Sequence, residues 1–394
     1  MRLFMQKNNV NKIGPLAAAL SFLLFLIPLD TYQLFNKFSI LRIFALIPLL
    51  IGFILFRRLK IKRSSTIIIL MFYILLIIIT STFSYSLTAS LARLATYSMY
   101  IMLLLIATSY PYNEKERKLL LASFIASAFL SATLAYVAPY YFEGRLTFKI
   151  NSTMAEDPNQ FSGYLIPGLL FFYYQFLTQH KKKILYLLVA IFFTYLILLT
   201  GSRGGLLAAI IGLMTLSWLV NYKRTKSIAI STVVVLLICT LTFFSAVQLI
   251  NRLDPVISQR FNIEDVAKSG GSGRTDIWDK DIELYSNSSV PRKIFGQGVG
   301  SITTLTGRVA HNTWLETLVE LGLLGVILFS GLVISIAKQL YNSKQILLFS
   351  IFISYIGLTI SLSLLGYKPL WGLIIISIIL GSKKTILNNK AVAQ

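Results

Sequence analysis

Two short motifs, far apart in the chain, carry groups able to act together on a phosphorylated substrate. Gly201-Ser202-Arg203-Gly204-Gly205 separates two apolar runs, and His311-Asn312 stands at the mouth of another. Glycines on both sides of Arg203 let the backbone turn tightly and approach a ligand, while the guanidinium offers a planar fork of donors matched to phosphate oxygens. A helix begins directly after the turn, so its free amides and positive dipole end add to an anion site. The plainer reading is a tight turn whose arginine reaches lipid headgroups. His311 supplies an imidazole that exchanges protons near neutral pH, and Asn312 is placed to cap the helix that follows. A structural histidine at a helix end is the alternative there. The other histidine, His180, adjoins Lys181, Lys182 and Lys183 and reads as a solvated boundary residue.

Further arginines gather near the same boundary: Arg42 early in the second apolar run, Arg93 near the start of the fourth, and Arg145, Arg274 and Arg308 in loops. A guanidinium left in lipid costs about 2.5–3.5 kcal/mol. Snorkelling to headgroups would relieve that cost for Arg42 and Arg93, and so would a polar cavity holding an anion. With Arg203 and His311, these arginines predict a site for a polyanionic lipid headgroup. Glu316 and Glu320 lie one turn apart beyond His311 and, at about 100° per residue, point away from it. They are expected to pair with other helices or with the outer arginines. Gly322 and Gly325 return to the histidine's side and suit close helix packing. Asp276, Asp279, Asp281 and Glu283 cluster in sequence, but on a helix they scatter round the axis among basic residues. No metal site is expected. The single cysteine, Cys239, lies within an apolar run, so no intramolecular disulfide forms. No glycine-rich nucleotide-phosphate loop is present, and no cofactor is expected.

The elements that must position these groups are helices in a bilayer. The chain has 394 residues, of which 56% are hydrophobic and 13% charged, with mean hydropathy +0.72. Such a composition points to an integral membrane protein. A span of a ~30 Å hydrocarbon core needs about 20 residues, and about twelve runs approach that. They fall near 13–29, 38–56, 64–83, 90–109, 119–138, 159–178, 184–200, 204–220, 227–247, 312–336, 345–362 and 369–381. The run 204–220 is equally readable as tilted or re-entrant. Continuous runs, without two-residue alternation, favour helices over a barrel. The expected fold is therefore an all-α, polytopic single membrane domain over 1–394, with a large extracytoplasmic loop, 250–311, between spans nine and ten. In that loop Gly270-Gly271-Ser272-Gly273 precedes a mixed-charge stretch. There Ile277, Trp278, Ile282 and Tyr285 recur at helical spacing and predict a short amphipathic helix. A second outer loop, 139–158, ends in Asp157-Pro158-Asn159-Gln160, a turn followed by a helix start. The exit of the first run, Ile27-Pro28-Leu29-Asp30, lacks a cleavage pattern and reads as a retained span.

The net charge of +22 invites a nucleic-acid reading, and its placement argues against one. With the gaps numbered alternately from a cytoplasmic N-terminus, the inside segments hold 22 of the 37 basic residues. These are Arg2, Lys7 and Lys12; Arg57, Arg58, Lys60, Lys62 and Arg63; Lys115, Arg117 and Lys118; and Lys181, Lys182 and Lys183. Lys223, Arg224, Lys226, Lys338, Lys344, Lys383, Lys384 and Lys390 complete the set, against Glu114 and Glu116 alone among the acids. This is the positive-inside pattern, with both ends cytoplasmic.

In their order along the chain, the motifs resemble the O-antigen ligase and Wzy polymerase superfamily of bacterial envelope enzymes. The resemblance rests on the Gly-Ser-Arg-Gly-Gly turn after a mid-chain span, then Gly273-Arg274 and Trp278 in a large outer loop. Phe295-Gly296-Gln297-Gly298-Val299-Gly300 and His311-Asn312 follow, with Gly322 and Gly325 beyond. It covers roughly 155–330 in motif and the whole chain in hydropathy plan. It implies a GT-C-like glycosyltransferase of the bacterial inner membrane, inverting and metal-independent, whose donor is a glycan on undecaprenyl diphosphate. The acceptor is a sugar hydroxyl on a lipid-linked repeat for a polymerase, or on lipid A–core for a ligase. Arg203, with Arg42, Arg93, Arg145 and Arg308, would hold the diphosphate; His311 would act as base or orienting group at the acceptor, and Arg274 would assist. Gly201, Ser202, Gly204, Asn312, Glu316 and Glu320 would support them. Asp157-Pro158-Asn159-Gln160 and the glutamate-bearing span lean toward the polymerase. A lipid-linked oligosaccharide transporter is the competing class and a scaffold a more distant one; a transporter should place its polar groups near mid-bilayer and open to both faces.

Overall fold

The computed structural model describes residues 12–382 apart from 35–37, 57–58, 60–63, 151–154, 251, 253–254 and 263–269. Of the basic residues read as cytoplasmic, Arg2, Lys7, Arg57, Arg58, Lys60, Lys62, Arg63, Lys383, Lys384 and Lys390 lie outside the described residues, as does the side chain of Cys239.

Each apolar run forms one helix. The first nine are α1 (Pro15–Phe25), α2 (Ile40–Ile54), α3 (Ser65–Thr82), α4 (Leu87–Ser109), α5 (Glu114–Val137), α6 (Pro158–Thr178), α7 (Lys183–Leu199), α8 (Arg203–Thr225) and α9 (Ile228–Ile250). Among the described residues, four lie in the long loop: α10 (Pro255–Phe261), α11 (Gly270–Ser286), α12 (Val290–Phe295) and α13 (Ser301–Thr306). The last apolar helices are α14 (Thr313–Asn342), α15 (Ile346–Thr359) and α16 (Lys368–Gly381). Among the described residues, five helices, α3, α4, α5, α8 and α14, are long and apolar enough to cross a membrane. Shorter apolar helices are α1, α2, α7, α15, α16 and the Ile228–Leu237 part of α9.

Local chemistry starts these helices where the sequence changes character. Asn113 and Glu116 form a reciprocal capping box at α5, each side chain bonding the other's backbone amide at 3.0 and 2.7 Å. The second oxygen of Glu116 accepts from Gly14 N at 2.8 Å, which ties the entry of α1 to α5. The amphipathic helix expected near 274–285 is α11. It starts earlier, at Gly270, so the glycine stretch joins its first turn, with Gly273 at φ +73°.

Two features depart from an all-α bundle of straight helices. Two small antiparallel ribbons are present, β1 (Gln33–Leu34) with β2 (Phe38–Ser39) and β3 (Pro139–Phe142) with β4 (Arg145–Phe148). The second closes through Glu143 and Gly144, both at positive φ, +51° and +75°, so a two-residue turn brings Phe142 opposite Arg145. The other departure is in α14, which runs to Asn342 and breaks at Gly322 (φ +68°, ψ −168°) instead of passing straight through. A break there frees the carbonyls of the preceding turn. Val319 O accepts from Gln297 N at 2.8 Å and Glu320 O from Gly298 N at 2.9 Å, so the glycine loop after α12 caps the broken turn. Only glycine fits: a Cβ on Gly296 would overlap Glu320 backbone, and one on Gly322 would overlap Ile294 O. Gly322 thus serves a kink and a loop approach, where the spacing suggested helix packing.

Around these breaks, α8 packs closely on α15, α6 on α7, α3 on α14 and α1 on α5. Small residues bring α8 near its neighbours. A Cβ on Gly204 would overlap Ser361 Oγ and one on Gly205 would overlap Ser162 Oγ. Ser354 Oγ donates to Ala208 O at 2.6 Å across the α8–α15 contact.

Candidate active site

The glycine turn before α8 is the hub. Gly201 adopts φ +57°, and Ser202 caps α8 by accepting from Gly205 N at 3.1 Å. Three arginines surround the turn. Arg145, buried on β4, donates from Nε to Thr200 O at 2.8 Å and from Nη2 to Asn159 Oδ1 at 2.7 Å. Arg260, in the last turn of α10, donates from Nε to Gly201 O at 3.2 Å, and its own carbonyl accepts from Arg203 Nε. A Cβ on Gly201 would meet Arg260 Cδ at 3.1 Å and Arg145 Cγ at 3.4 Å, so a side chain there would press on both. Each of the three guanidiniums is anchored through Nε, which fixes its fork in orientation.

The long loop brings in the rest. Arg274 and Trp278 stand one turn apart on α11, and Trp278 Nε1 donates to Ala310 O at 3.0 Å, holding the segment before His311 against that helix. His311 takes φ +50°, a left-handed conformation tolerated by few side chains and concentrated at functional positions. Asn312 caps α14 through Trp314 N and Leu315 N at 3.0 and 3.1 Å. Next to it Thr313 Oγ1 donates to Leu362 O at 2.6 Å and accepts from Leu364 N at 2.9 Å. Ser361, packed on Gly204, is the neighbour of Leu362. The histidine motif and the arginine turn therefore flank one short segment, 361–364, at the same end of the helices.

Electrostatics link the groups. Burial, and then the Arg260 charge, pushes Arg145 down to about 10, with Asp157 opposing. Arg274 is lowered by burial, with Asp157 countering and Arg260 adding to the shift. His311 is held below the usual imidazole range by burial and by the Arg274 cation, against a smaller pull from Asp157. At pH 7 its imidazole is neutral and can accept a proton. Asp157 itself caps α6 through Asn159 N and Gln160 N at 2.7 and 3.1 Å. Its neighbour Glu156 is pushed up to about 8 by burial and by Asp157, and keeps its proton at neutral pH. Arg145, Arg203, Arg260 and Arg274 thus gather at this end with Asp157 and Glu143 as the carboxylates felt by Arg145, a cationic excess that a polyanion would relieve.

Not every expected residue joins this cluster. Arg93 lies in α4, where Nη1 bonds Glu316 Oε1 at 2.9 Å and Glu320 Oε1 at 3.3 Å, and Nη2 donates to Thr303 Oγ1 at 3.1 Å. The anions that meet Arg93 here are the protein's own Glu316 and Glu320. Glu316 and Glu320 accordingly brace α14 on α4 and do not touch the turn at Gly201. Arg42 is exposed in the first turn of α2 and Arg308 is exposed after α13, and among the described residues neither bonds a member of the arginine cluster. Arg260 and Asp157 are the members that sequence reasoning did not name as site residues. The capping pattern at 157–160 was a signal for Asp157, while nothing in the spacing of Arg260 distinguishes it from other loop cations.

Below the site on α11, Asp281 is fully buried and neither carboxylate oxygen has a hydrogen-bond partner. Burial, and next Glu316, pushes it up to about 6. A carboxyl raised in the folded state costs stability as pH rises from the unfolded value, about 4, through 6. Asp281→Asn is expected to raise the thermal midpoint at pH 8 and leave it unchanged near pH 4. Thermal unfolding in detergent at the two pH values checks this.

Residues 187–330 match the Wzy_C family, described as O-antigen ligase. The matched stretch runs from α7 into α14 and contains the glycine turn, Arg260, Arg274 and His311; Arg145 and Asp157 lie before it. No curated protein matches the chain.

Proposed function

Starting from a chain whose residues 187–330 carry a domain of the O-antigen ligase family, whose members are glycosyltransferase-like enzymes, we propose a reaction for this site. The protein moves a glycan from undecaprenyl diphosphate to a sugar hydroxyl at the outer face of the bacterial inner membrane. The observation that carries the reading is that His311, with Arg274 acting on it, stands at the same end of the helices as the α8 start that Arg145, Arg203 and Arg260 surround. His311 takes the proton of the acceptor hydroxyl as its oxygen bonds to the anomeric carbon. The bond from that carbon to the diphosphate breaks, and its electron pair leaves with the lipid diphosphate. Arg203, Arg145, Arg260 and Arg274 offset the charge that develops there. Attack opposite the leaving group inverts the anomeric centre. Asp157 caps α6 and Glu316 and Glu320 pair with Arg93, and charge compensation is assigned to the arginines. In this reading all twelve apolar helices span a GT-C-like membrane domain, the termini are cytoplasmic and the 250–311 loop is extracytoplasmic.

The acceptor we assign is a lipid-linked repeat, making the protein a surface-polysaccharide polymerase. Transfer to lipid A–core is the second reading, and it is favoured by the description of the matched family as a ligase. Purified protein given the lipid-linked donor with each acceptor in turn distinguishes the two. In the same assay Arg203→Ala is expected to lower turnover by roughly 10²–10³-fold, as loss of one charge-stabilising donor does. Full activity in both Arg203→Ala and His311→Ala would remove the proposal, and movement of lipid-linked glycan across vesicles without covalent change would replace it with transport.

A further inference from the structure

The end of the bundle away from His311 carries charge that the proposed reaction leaves unused. Helix α5 runs 24 residues, about 36 Å, from Glu114 to the ribbon that carries Arg145. Helix α14 runs 30 residues from the Asn312 cap to Asn342. The far ends of these two helices meet the end of α16 round a cleft of about 570 Å³, within the size range of ligand sites. Arg117 and Lys118 line it from α5, Ser343 and Gln345 from the turn between α14 and α15, and Leu380 and Ser382 from α16.

The charges round this cleft do not cancel. Glu116 commits both oxygens elsewhere, one to Asn113 N and the other to Gly14 N. Glu114, also at the cleft, pairs with Lys118 at 3.6 Å, both side chains being exposed. Arg117 is half-buried and donates from Nε to Tyr112 O at 3.4 Å, and among the described residues no carboxylate bonds it. Its two Nη groups form a fork suited to phosphate oxygens. Helix C-termini ordinarily repel an anion, but the end carbonyls here are occupied. Leu340 O accepts from Gln345 N and Ser343 Oγ, both at 3.1 Å, and Ile378 O accepts from Ser382 N at 3.2 Å and Gln339 Nε2 at 3.1 Å. The Ser343 and Ser382 hydroxyls can still accept, and the Gln345 amide can both donate and accept. Leu121, one turn deeper into α5, and Leu380 make the wall beneath apolar. Cation, hydroxyl partners and then leucine follow the order of a phospholipid from headgroup to chain, and basic pockets between membrane helices are a known setting for anionic headgroups.

We propose that this cleft binds the headgroup of an anionic phospholipid, a glycerol phosphodiester. Its phosphate meets Arg117 and Lys118, and its glycerol hydroxyls meet Glu114, Ser343, Gln345 and Ser382. In the proposed orientation the lipid belongs to the inner leaflet, across the membrane from the arginine cluster. The site goes beyond the proposed reaction and does not depend on it. A bound headgroup bridges α5, the α14–α15 turn and α16, and so braces the far end of the helix that His311 precedes.

The test uses the full chain in nanodiscs of phosphatidylethanolamine doped with phosphatidylglycerol that bears a diazirine near the glycerol end of one acyl chain. Mass-spectrometric mapping is expected to find labelling within 114–121 and 380–382. Arg117→Gln, and Gln345→Glu, which sets a like charge against the phosphate, should each lower it by roughly fivefold or more, about what one cation–headgroup contact contributes. Lys115→Gln, which removes an exposed charge outside the cleft, should leave it unchanged. Should Arg117→Gln fail to fold, Gln345→Glu alone decides. Equal labelling by a phosphatidylethanolamine probe, or an equal loss in Lys115→Gln, would mean bulk lipid or diffuse charge and would overturn the proposal. Loss of labelling to inorganic phosphate at matched ionic strength would assign the cleft to a soluble anion and overturn it as well.

Discussion

His311→Ala is expected to lower turnover by about 10²–10⁴-fold, the usual contribution of a positioned proton acceptor, with little change in donor binding. The backbone that carries the imidazole is held from three directions: α11 through Trp278 and Ala310, α14 through the Asn312 cap, and its own left-handed conformation. Because burial and Arg274 hold it below the ordinary histidine range, the base is already neutral at pH 7. Activity should therefore rise with pH through that depressed value and be level by neutrality. Arg274→Gln removes a cation that disfavours the imidazolium, so the acid limb should move to higher pH. Asp157→Asn removes the opposing carboxylate while keeping a capping side chain, so the limb should move to lower pH. Measuring rate against pH for both variants separates a base from a group that only orients the hydroxyl. An acid limb unmoved in either variant would show that His311 does not set it.

The parts of this architecture that were legible in the sequence are those encoded locally. A run of apolar residues long enough for a helix becomes one, and the capping residues Asp157 and Asn312 lie within a few positions of the groups they satisfy. The arginine turn and the histidine motif were legible for the same reason: glycine, charge and helix start are adjacent in the chain. What was not legible depends on partners distant in sequence. Gly322 inside an apolar run reads equally as a packing notch or a break, and only the arrival of Gln297 and Gly298 at its freed carbonyls decides for the break. The β3–β4 ribbon turns on Glu143 and Gly144, a weaker hairpin signal than asparagine or aspartate before glycine. Arg260 reaches Gly201 from 59 positions away, and no periodicity reports such a contact.

Arg93 shows the same limit in its sharpest form, and it carries the largest stability effect expected here. As a cation in a span it needed an anion, and the sequence offered both a substrate phosphate and the glutamates of another helix. Its bonds go to Glu316 and Glu320, 223 and 227 residues away. Arg93 is about a quarter exposed at its side chain (29%), while the glutamates are almost wholly buried (5% and 1%). Removing the arginine leaves two buried carboxylates facing each other without a counter-charge, and the Glu316 oxygen not bonded to Arg93 has no partner to spare. Breaking a buried pair on one side costs about 3–5 kcal/mol, and the partial exposure of Arg93 places it at the lower end. Arg93→Ala should therefore destabilise the protein by about 3 kcal/mol, seen as a large drop in thermal midpoint. Adding Glu316→Gln and Glu320→Gln to that variant should restore most of the loss, because the uncompensated charge goes with them. A diphosphate-binding Arg93 would behave otherwise: the single variant would weaken donor binding at unchanged stability, and the two glutamine substitutions would rescue nothing. Since Glu320 also accepts from Ile302 N at 3.4 Å and its carbonyl holds the glycine loop, restoration should bring back activity along with the fold.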